Sequence, residues 1–349
     1  MRRSAWLATK ISVIAGALVA APLVAAGPAG ADPIIANGDV FSRVTAPDGT
    51  YIKSVEVEDS RSLIITVHAT SMNKDVPVQV QRPRDTSQPR PVLYLLNGAD
   101  GGEGTAQWKL RTDALKFLED KDINVVSPVG GAWSYYTDWK NIDPVLGNNK
   151  WKTFLTKELP PLIDAALGTS GKNGIAGLST SGTTVLNLPI AAPGLYQSAA
   201  AYSGCAQTSD PVGQRAVGIT VWWGGGKVEN MYGAPDDPLW RENDPYLRAA
   251  ELRGLSMYIS TGSGIPGIHD NLGDPHSLPG VEGLANQIII GGAIEAATNF
   301  CTHNLMNRLN ELQIPAHYNF RSTGTHSWGY WEDDLKDSWP VLAGPLGIA

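Results

Sequence analysis

The residues best placed for covalent chemistry lie in GIAGLSTSGTTV, from Gly174 to Val185. Two serines, Ser179 and Ser181, stand two residues apart after a short apolar run. A serine hydroxyl becomes a useful nucleophile when a base takes its proton and a third group orients that base. A strained strand-to-helix turn lifts the hydroxyl above a sheet, and it needs small residues two before and two after the nucleophile. Ser179 has Gly177 before it and Ser181 after it, so it departs from G-x-S-x-G only at the fifth position. Ser181 has no glycine two residues before it and falls in the first helical turn. Ser179 is therefore the expected nucleophile. The competing role is structural, a serine that only caps the following helix.

In an α/β-hydrolase the order along the chain is serine, acid, histidine. Five histidines follow Ser179: His269, His276, His303, His317 and His326. His326 stands in STGTHSWGYW, a Gly-bounded loop after an expected last strand, where a triad base belongs. His303 and His317 fall in a helix and a strand. The acid is open on the residues alone, with Asp270, Asp274, Glu282 and Glu295 as candidates and Asp270 or Asp274 favoured by position. The oxyanion donors expected are the N–H of Thr180, just after the nucleophile, and that of Ala99 in the NGADGGEG loop. That loop lacks the G-K-[ST] ending of a phosphate cradle. Loop aromatics are plentiful, and Trp328 lies two residues from His326.

These side chains need a scaffold. SLIITVHA and VPVQVQRP carry apolar residues at alternating or dense spacing and read as antiparallel edge strands between Ile34 and Pro83. Beyond Pro91, strands are expected at 92–96, 123–126, 174–177, 198–203, 255–260 and 316–320. Helices are expected near 107–118, 151–167 and 182–192, and from Trp331 onward. That alternation predicts an α/β fold, a doubly wound, mostly parallel sheet with an N-terminal antiparallel edge. Ligands in such sheets bind outside the carboxyl ends of the strands. The turn-rich stretch 221–254 reads as an insertion over the active site, and 262–280 as a long loop.

Residues 1–31 read as a cleaved secretory signal peptide: Arg2, Arg3 and Lys10, then an apolar run, then Ala29-Gly30-Ala31. Residues 32–349 read as one domain. The formal net charge of −7 becomes −10 for those residues, because the first 31 carry three cations and no acid. An acidic secreted chain is a poor nucleic-acid binder. Its two cysteines, Cys205 and Cys301, are expected to be bridged. No ligand cluster suggests a metal, and serine acyl chemistry needs no cofactor.

The ordered segments YLLNG, SPVGGAWSYYTDW, KWKTFLTKELP, GLSTSG, MYGAPDDPLWRENDP and GTHSWGYW resemble the secreted mycolyltransferases of the antigen 85 type, from about Lys74 to Leu335. The pattern is more similar to the corynebacterial, rhodococcal or nocardial branch. The resemblance implies an α/β-hydrolase with a Ser-Glu-His triad, which moves a mycolyl chain from trehalose monomycolate to another trehalose monomycolate or to cell-wall arabinogalactan. Carried over, Ser179 is the nucleophile, His326 the base and Glu295 the acid. Where the mycobacterial enzymes contact trehalose with an Asp and an Arg, this chain has Asn97 and Asp100, expected with Trp328 to face the sugar. The implied setting is the cell envelope, and a monomer is expected. The alternatives are a secreted serine esterase or lipase, with water as acceptor, and a non-catalytic cell-wall or matrix-binding protein.

Overall fold

The computed structural model describes residues 44–348. The expected signal peptide and its cut after Ala31 lie outside those residues. Nine strands form one sheet: β1 (Tyr51–Val57), β2 (Ser62–Ala69), β3 (Lys74–Gln81), β4 (Val92–Leu96), β5 (Asn124–Pro128), β6 (Asn173–Leu178), β7 (Ser198–Tyr202), β8 (Ser256–Thr261) and β9 (His317–Phe320). Their order is β1-β2-β3-β5-β4-β6-β7-β8-β9. The pairs β1/β2, β2/β3 and β3/β5 are antiparallel, and every pair from β5/β4 to β8/β9 is parallel. This is the α/β-hydrolase architecture, with the antiparallel edge where the alternating N-terminal runs predict it.

The central parallel strands β4, β5, β6 and β7 are buried at every position because helices cover both faces. β4 (VLYLL) is buried at all five positions. Tyr94 and Leu96 join one core cluster with α1 (Leu159–Leu167) and α2 (Thr180–Ala191). Leu93 and Leu95 join the other, with the C-terminal helix. That split is the two-residue period of a strand. In β2 only one face is closed, and buried and half-buried residues alternate along it.

Three further helices matter to the site: α3 (Pro211–Trp223), α4 (Gly292–Glu311) and α5 (Trp328–Leu346). α3 was not anticipated. Its sequence, PVGQRAVGITVWW, is rich in β-branched residues and glycine, but Asp210 caps it by accepting from the N–H groups of Val212 and Gly213 at 2.8 and 3.0 Å. The insertion therefore begins near Pro211, ten residues before the expected Val221. It carries its own small core, in which Trp139, Val217, Val221, Met231, Tyr232 and Trp240 pack together. The helix expected over 107–118 is two short helices, Trp108–Arg111 and Ala114–Phe117. Between them Thr112 is extended; its hydroxyl donates to Trp108 C=O at 2.6 Å and accepts from Ala114 N–H at 3.2 Å. Such local bonds compete with the helix ladder. The last helix starts at Trp328, three residues earlier than expected.

Chain order reverses at β4, whose neighbours are β5 on one side and β6 on the other. The loops leaving β4 and β6 diverge there, which is the crevice where doubly wound sheets hold ligands.

Candidate active site

Ser179 joins β6 to α2 in a strained turn. Its φ is 56° and its ψ −122°, a conformation costly for a residue with a Cβ and characteristic of functional turns. Two bonds hold it. Its N–H donates to Tyr202 C=O at 2.9 Å, and its own C=O accepts from Gly182 N–H at 3.0 Å. Its side chain caps nothing, so the purely structural role for Ser179 has no support here.

Ser181 is enclosed beneath the turn. Its hydroxyl accepts from Leu178 N–H and donates to Leu178 C=O, both at 2.9 Å. A Cβ on Gly177 would lie 2.5 Å from that hydroxyl. The glycine before Ser179 and the serine after it therefore form one device: Gly177 makes room for the side chain that clips the turn.

His326 follows β9 in the loop before α5. Its Nδ1 lies 2.8 Å from Glu295 Oε2, and its buried Nε2 has no hydrogen-bond partner among the described residues. Its ring meets Trp331 edge to face at 4.9 Å. Glu295, in the first turn of α4, is fully enclosed. Its Oε1 accepts from Gly262 N–H at 2.6 Å, Ser203 Oγ at 2.7 Å and Thr261 Oγ1 at 3.0 Å. Three donors on one oxygen and the imidazole on the other keep the carboxylate oriented. The donors come from the carboxyl ends of β7 and β8, and Ser203 also accepts from Trp331 Nε1 at 3.0 Å. Sequence reasoning did not single out Ser203, Thr261 or Gly262. The signal for Ser203 was slight, a polar residue at the end of a run of alanines.

The other acids have different partners. Asp274 meets His269 at 2.7 Å. Asp270 accepts from Thr325, Gln287, Tyr330 and Gly267. Glu282 lies in the short helix Gly280–Asn286. Of the other histidines, His303 bonds Asn299 C=O at 2.9 Å and stacks on Phe320, and His317 is exposed at the start of β9.

Among the described residues, neither the N–H of Thr180 nor that of Ala99 donates to any hydrogen bond. The Ala99 loop is anchored to the next crossover loop. Trp133 N–H donates to Ala99 C=O at 2.5 Å and Gly130 N–H to Gly101 C=O at 2.8 Å. A Cβ on Gly101 would lie 2.4 Å from Gly130 O, and its φ is 65°, so the close approach needs glycine.

The residues expected to face a sugar are placed unequally. Asp100 is half-exposed, and burial raises its carboxyl above the ordinary range. Asn97 is fully enclosed. Its Oδ1 accepts from Trp108 N–H at 3.2 Å, so it braces the loop from behind, which corrects its expected direct contact with the sugar. Trp328 is nearly enclosed, edge to face with Trp108 and Trp331. Cys205 and Cys301 are bridged as expected, joining the segment after β7 to α4. Among the described residues no group of three or more His, Cys, Asp or Glu could hold a metal ion, and no helix is long and apolar enough to cross a membrane.

Comparison with known proteins bears on what this arrangement serves. Residues 69–341 match the family described as "Putative esterase". The diacylglycerol acyltransferase/mycolyltransferase Ag85A of Mycobacterium ulcerans is 31% identical over 294 residues, 81% of each chain. The chain belongs to this esterase family, among the relatives of the Ag85 mycolyltransferases. The Mycobacterium leprae Ag85A is 32% identical over 297 residues, covering 81% of this chain and 83% of its own. Among solved structures, MPT51 of Mycobacterium tuberculosis superposes with a TM-score of 0.65 at 23% identity, covering 80% of this chain and 96% of its own. An S-formylglutathione hydrolase from Agrobacterium tumefaciens gives 0.61 at 16% identity, covering 85% and 99%. These two likenesses establish the α/β-hydrolase fold.

Proposed function

We propose that this chain is an acyltransferase that moves a mycolyl chain from trehalose monomycolate to a second trehalose monomycolate or to cell-wall arabinogalactan. The observation that carries the proposal is the imidazole of His326, bonded to an enclosed Glu295 on one nitrogen and unpartnered on the other. Glu295 fixes the ring so that Nδ1 keeps its proton and Nε2 is the base. Nε2 takes the proton of Ser179 as its Oγ attacks the ester carbonyl. The N–H groups of Thr180 and Ala99 stabilise the oxyanion, and one such donor is typically worth about 10²–10³ in rate. The ester C–O bond then breaks, and the imidazolium gives its proton to the departing trehalose oxygen. In the second half His326 takes a proton from an acceptor hydroxyl as it attacks the acyl-enzyme carbonyl; the bond from that carbonyl to Ser179 Oγ then breaks, and the imidazolium returns its proton to Ser179 Oγ. The half-exposed Asp100 accepts hydrogen bonds from the acceptor sugar, and the Trp328 ring forms a wall of the crevice.

In this reading residues 1–31 direct export and are removed, leaving 32–349 as one domain that works as a monomer at the cell envelope. Incubation with trehalose monomycolate and mass spectrometry of the lipids tests the proposal. Dimycolate from wild type and none from Ser179→Ala is the expected result. Free mycolate as the only product would make the chain a hydrolase with water as acceptor. Neither product, with no fluorophosphonate labelling of Ser179, would leave a binding protein on the same fold.

A further inference from the structure

Asp270 lies in the long segment between β8 and Gly280 and makes no bond to His326. Its carboxylate is nonetheless a convergence point of four donors from four places in the chain. Oδ1 accepts from Thr325 Oγ1 at 2.5 Å and Gln287 Nε2 at 2.8 Å. Oδ2 accepts from Tyr330 Oη at 2.7 Å and Gly267 N–H at 2.8 Å. Thr325 is the residue before His326 and is fully enclosed. Gln287 opens a π-helical turn, Gln287–Gly291, that runs directly into α4, the helix of Glu295. Tyr330 is in the first turn of α5. The backbone follows the same lines: His326 N–H donates to Gly291 C=O at 3.2 Å, and Gly324 N–H to Ile265 C=O at 2.6 Å.

We infer that Asp270 is a positioning residue for the Ser179 reaction, holding the Thr325–His326 backbone against the turn that leads to Glu295, so that the imidazole and the carboxylate stay in register. The inference rests on the serine mechanism proposed above. The geometry requires a carboxylate: all four partners donate, and Gly267 N–H has no alternative role. An amide at this position would turn an NH₂ toward donors on one side. Burial raises Asp270, yet the bonds from Gln287, Thr325 and Tyr330 outweigh it and hold the group below the usual carboxylate range, so it is ionised at neutral pH. The groups facing it from its own segment and from α5 include His269 and Tyr330. The ring of His269 packs on Tyr330 at 4.9 Å, and the Arg321 guanidinium lies over the Tyr330 ring, 5.2 Å from its centroid. Misplacing a catalytic group by about 1 Å can cost about 10²-fold in rate.

The test compares wild type, Asp270→Asn, Thr325→Val and Thr325→Ser in hydrolysis of a short-chain p-nitrophenyl ester, per active site titrated, at a temperature well below each melting transition. Asp270→Asn is expected to lower kcat by about 10–100-fold with KM unchanged. Thr325→Val is expected to do the same, Thr325→Ser to restore the wild-type kcat, and the double variant Asp270→Asn/Thr325→Val to lose no more than either single one. The acidic limb of kcat/KM, which reports the free-enzyme base, is expected to shift in Asp270→Asn. A lowered melting temperature with wild-type kcat and an unmoved limb would overturn the inference, leaving Asp270 a stabilising residue only. Equal loss in Thr325→Ser and Thr325→Val would overturn it too. Failure of the underlying mechanism reads differently: Ser179→Ala would then turn over the ester as fast as wild type.

Discussion

The two serines of the elbow make opposite predictions, and the structure supplies the magnitudes. Ser179→Ala removes the proposed nucleophile but breaks no hydrogen bond of its side chain, because it makes none as a cap. Ser181→Ala removes the hydroxyl that serves both Leu178 N–H and Leu178 C=O in an enclosed place. Depriving buried groups of a partner costs about 1–3 kcal/mol. Unfolding entropy is about 2.1 cal/mol/K per residue, which over roughly 300 residues is about 0.6 kcal/mol/K. Ser181→Ala should therefore lower the melting temperature by about 2–5 °C, and Ser179→Ala should not. A fluorophosphonate probe reads the chemistry separately: Ser181→Ala is expected to label, more slowly because the turn is looser, and Ser179→Ala not at all. A folded Ser181→Ala that fails to label, or a Ser179→Ala that labels like wild type, would refute the assignment of roles.

Glu295→Gln keeps the shape of the side chain but sets an amide against the Gly262 N–H and hydroxyl donors or against His326 Nδ1–H, so kcat is expected to fall by about 10³–10⁴, as for other triad acids made amides; a loss under tenfold would exclude Glu295 as the orienting acid. Replacing Cys205 and Cys301 by serine frees a loop whose ends are 96 residues apart. The chain-entropy argument gives a loss of up to about 4–5 kcal/mol, read as a clear drop in urea midpoint; an unchanged midpoint would mean that other contacts already hold α4 against the segment after β7. His269 joins Asp274 at 2.7 Å to Asp333 of α5 at 2.8 Å. Burial lowers its pKa, but bonds to Asp333 and Asp274 outweigh that and raise it above 6.5. A raised histidine contributes stability that is full below the unfolded pKa and lost as pH rises through the folded one. The melting-temperature gap between wild type and His269→Gln should therefore be wider at about pH 5.5 than at about pH 8.5, and a gap that widens with pH would contradict the sign.

What could be read in advance follows from how local each signal is. β4, β6 and β7 are short apolar runs between turns, and burial on both faces leaves such strands no other pattern. Ser179 and His326 stand out in the sequence as candidates because each brings its own neighbourhood: Gly177 and Ser181 around one, a Gly-bounded loop after β9 around the other. The helix over 107–118 was misread because the single hydroxyl of Thr112 interrupts it, and α3 was missed because its cap, Asp210, is the main local sign of a helix. The acid shows where local reading ends. Asp270 and Asp274 are nearer the expected position in the chain than Glu295, and both sit beside a histidine or its loop. Choosing among them needs to know which carboxylate meets donors from β7 and β8 at once, and that depends on Ser203, Thr261 and Gly262 arriving together at the carboxyl edge of the sheet. No spacing along one element encodes that convergence. It comes from parallel strands ending side by side, so an acid on α4, across the loop from β8, reaches His326 while the nearer Asp270 reaches Thr325, the residue before it, and not the imidazole.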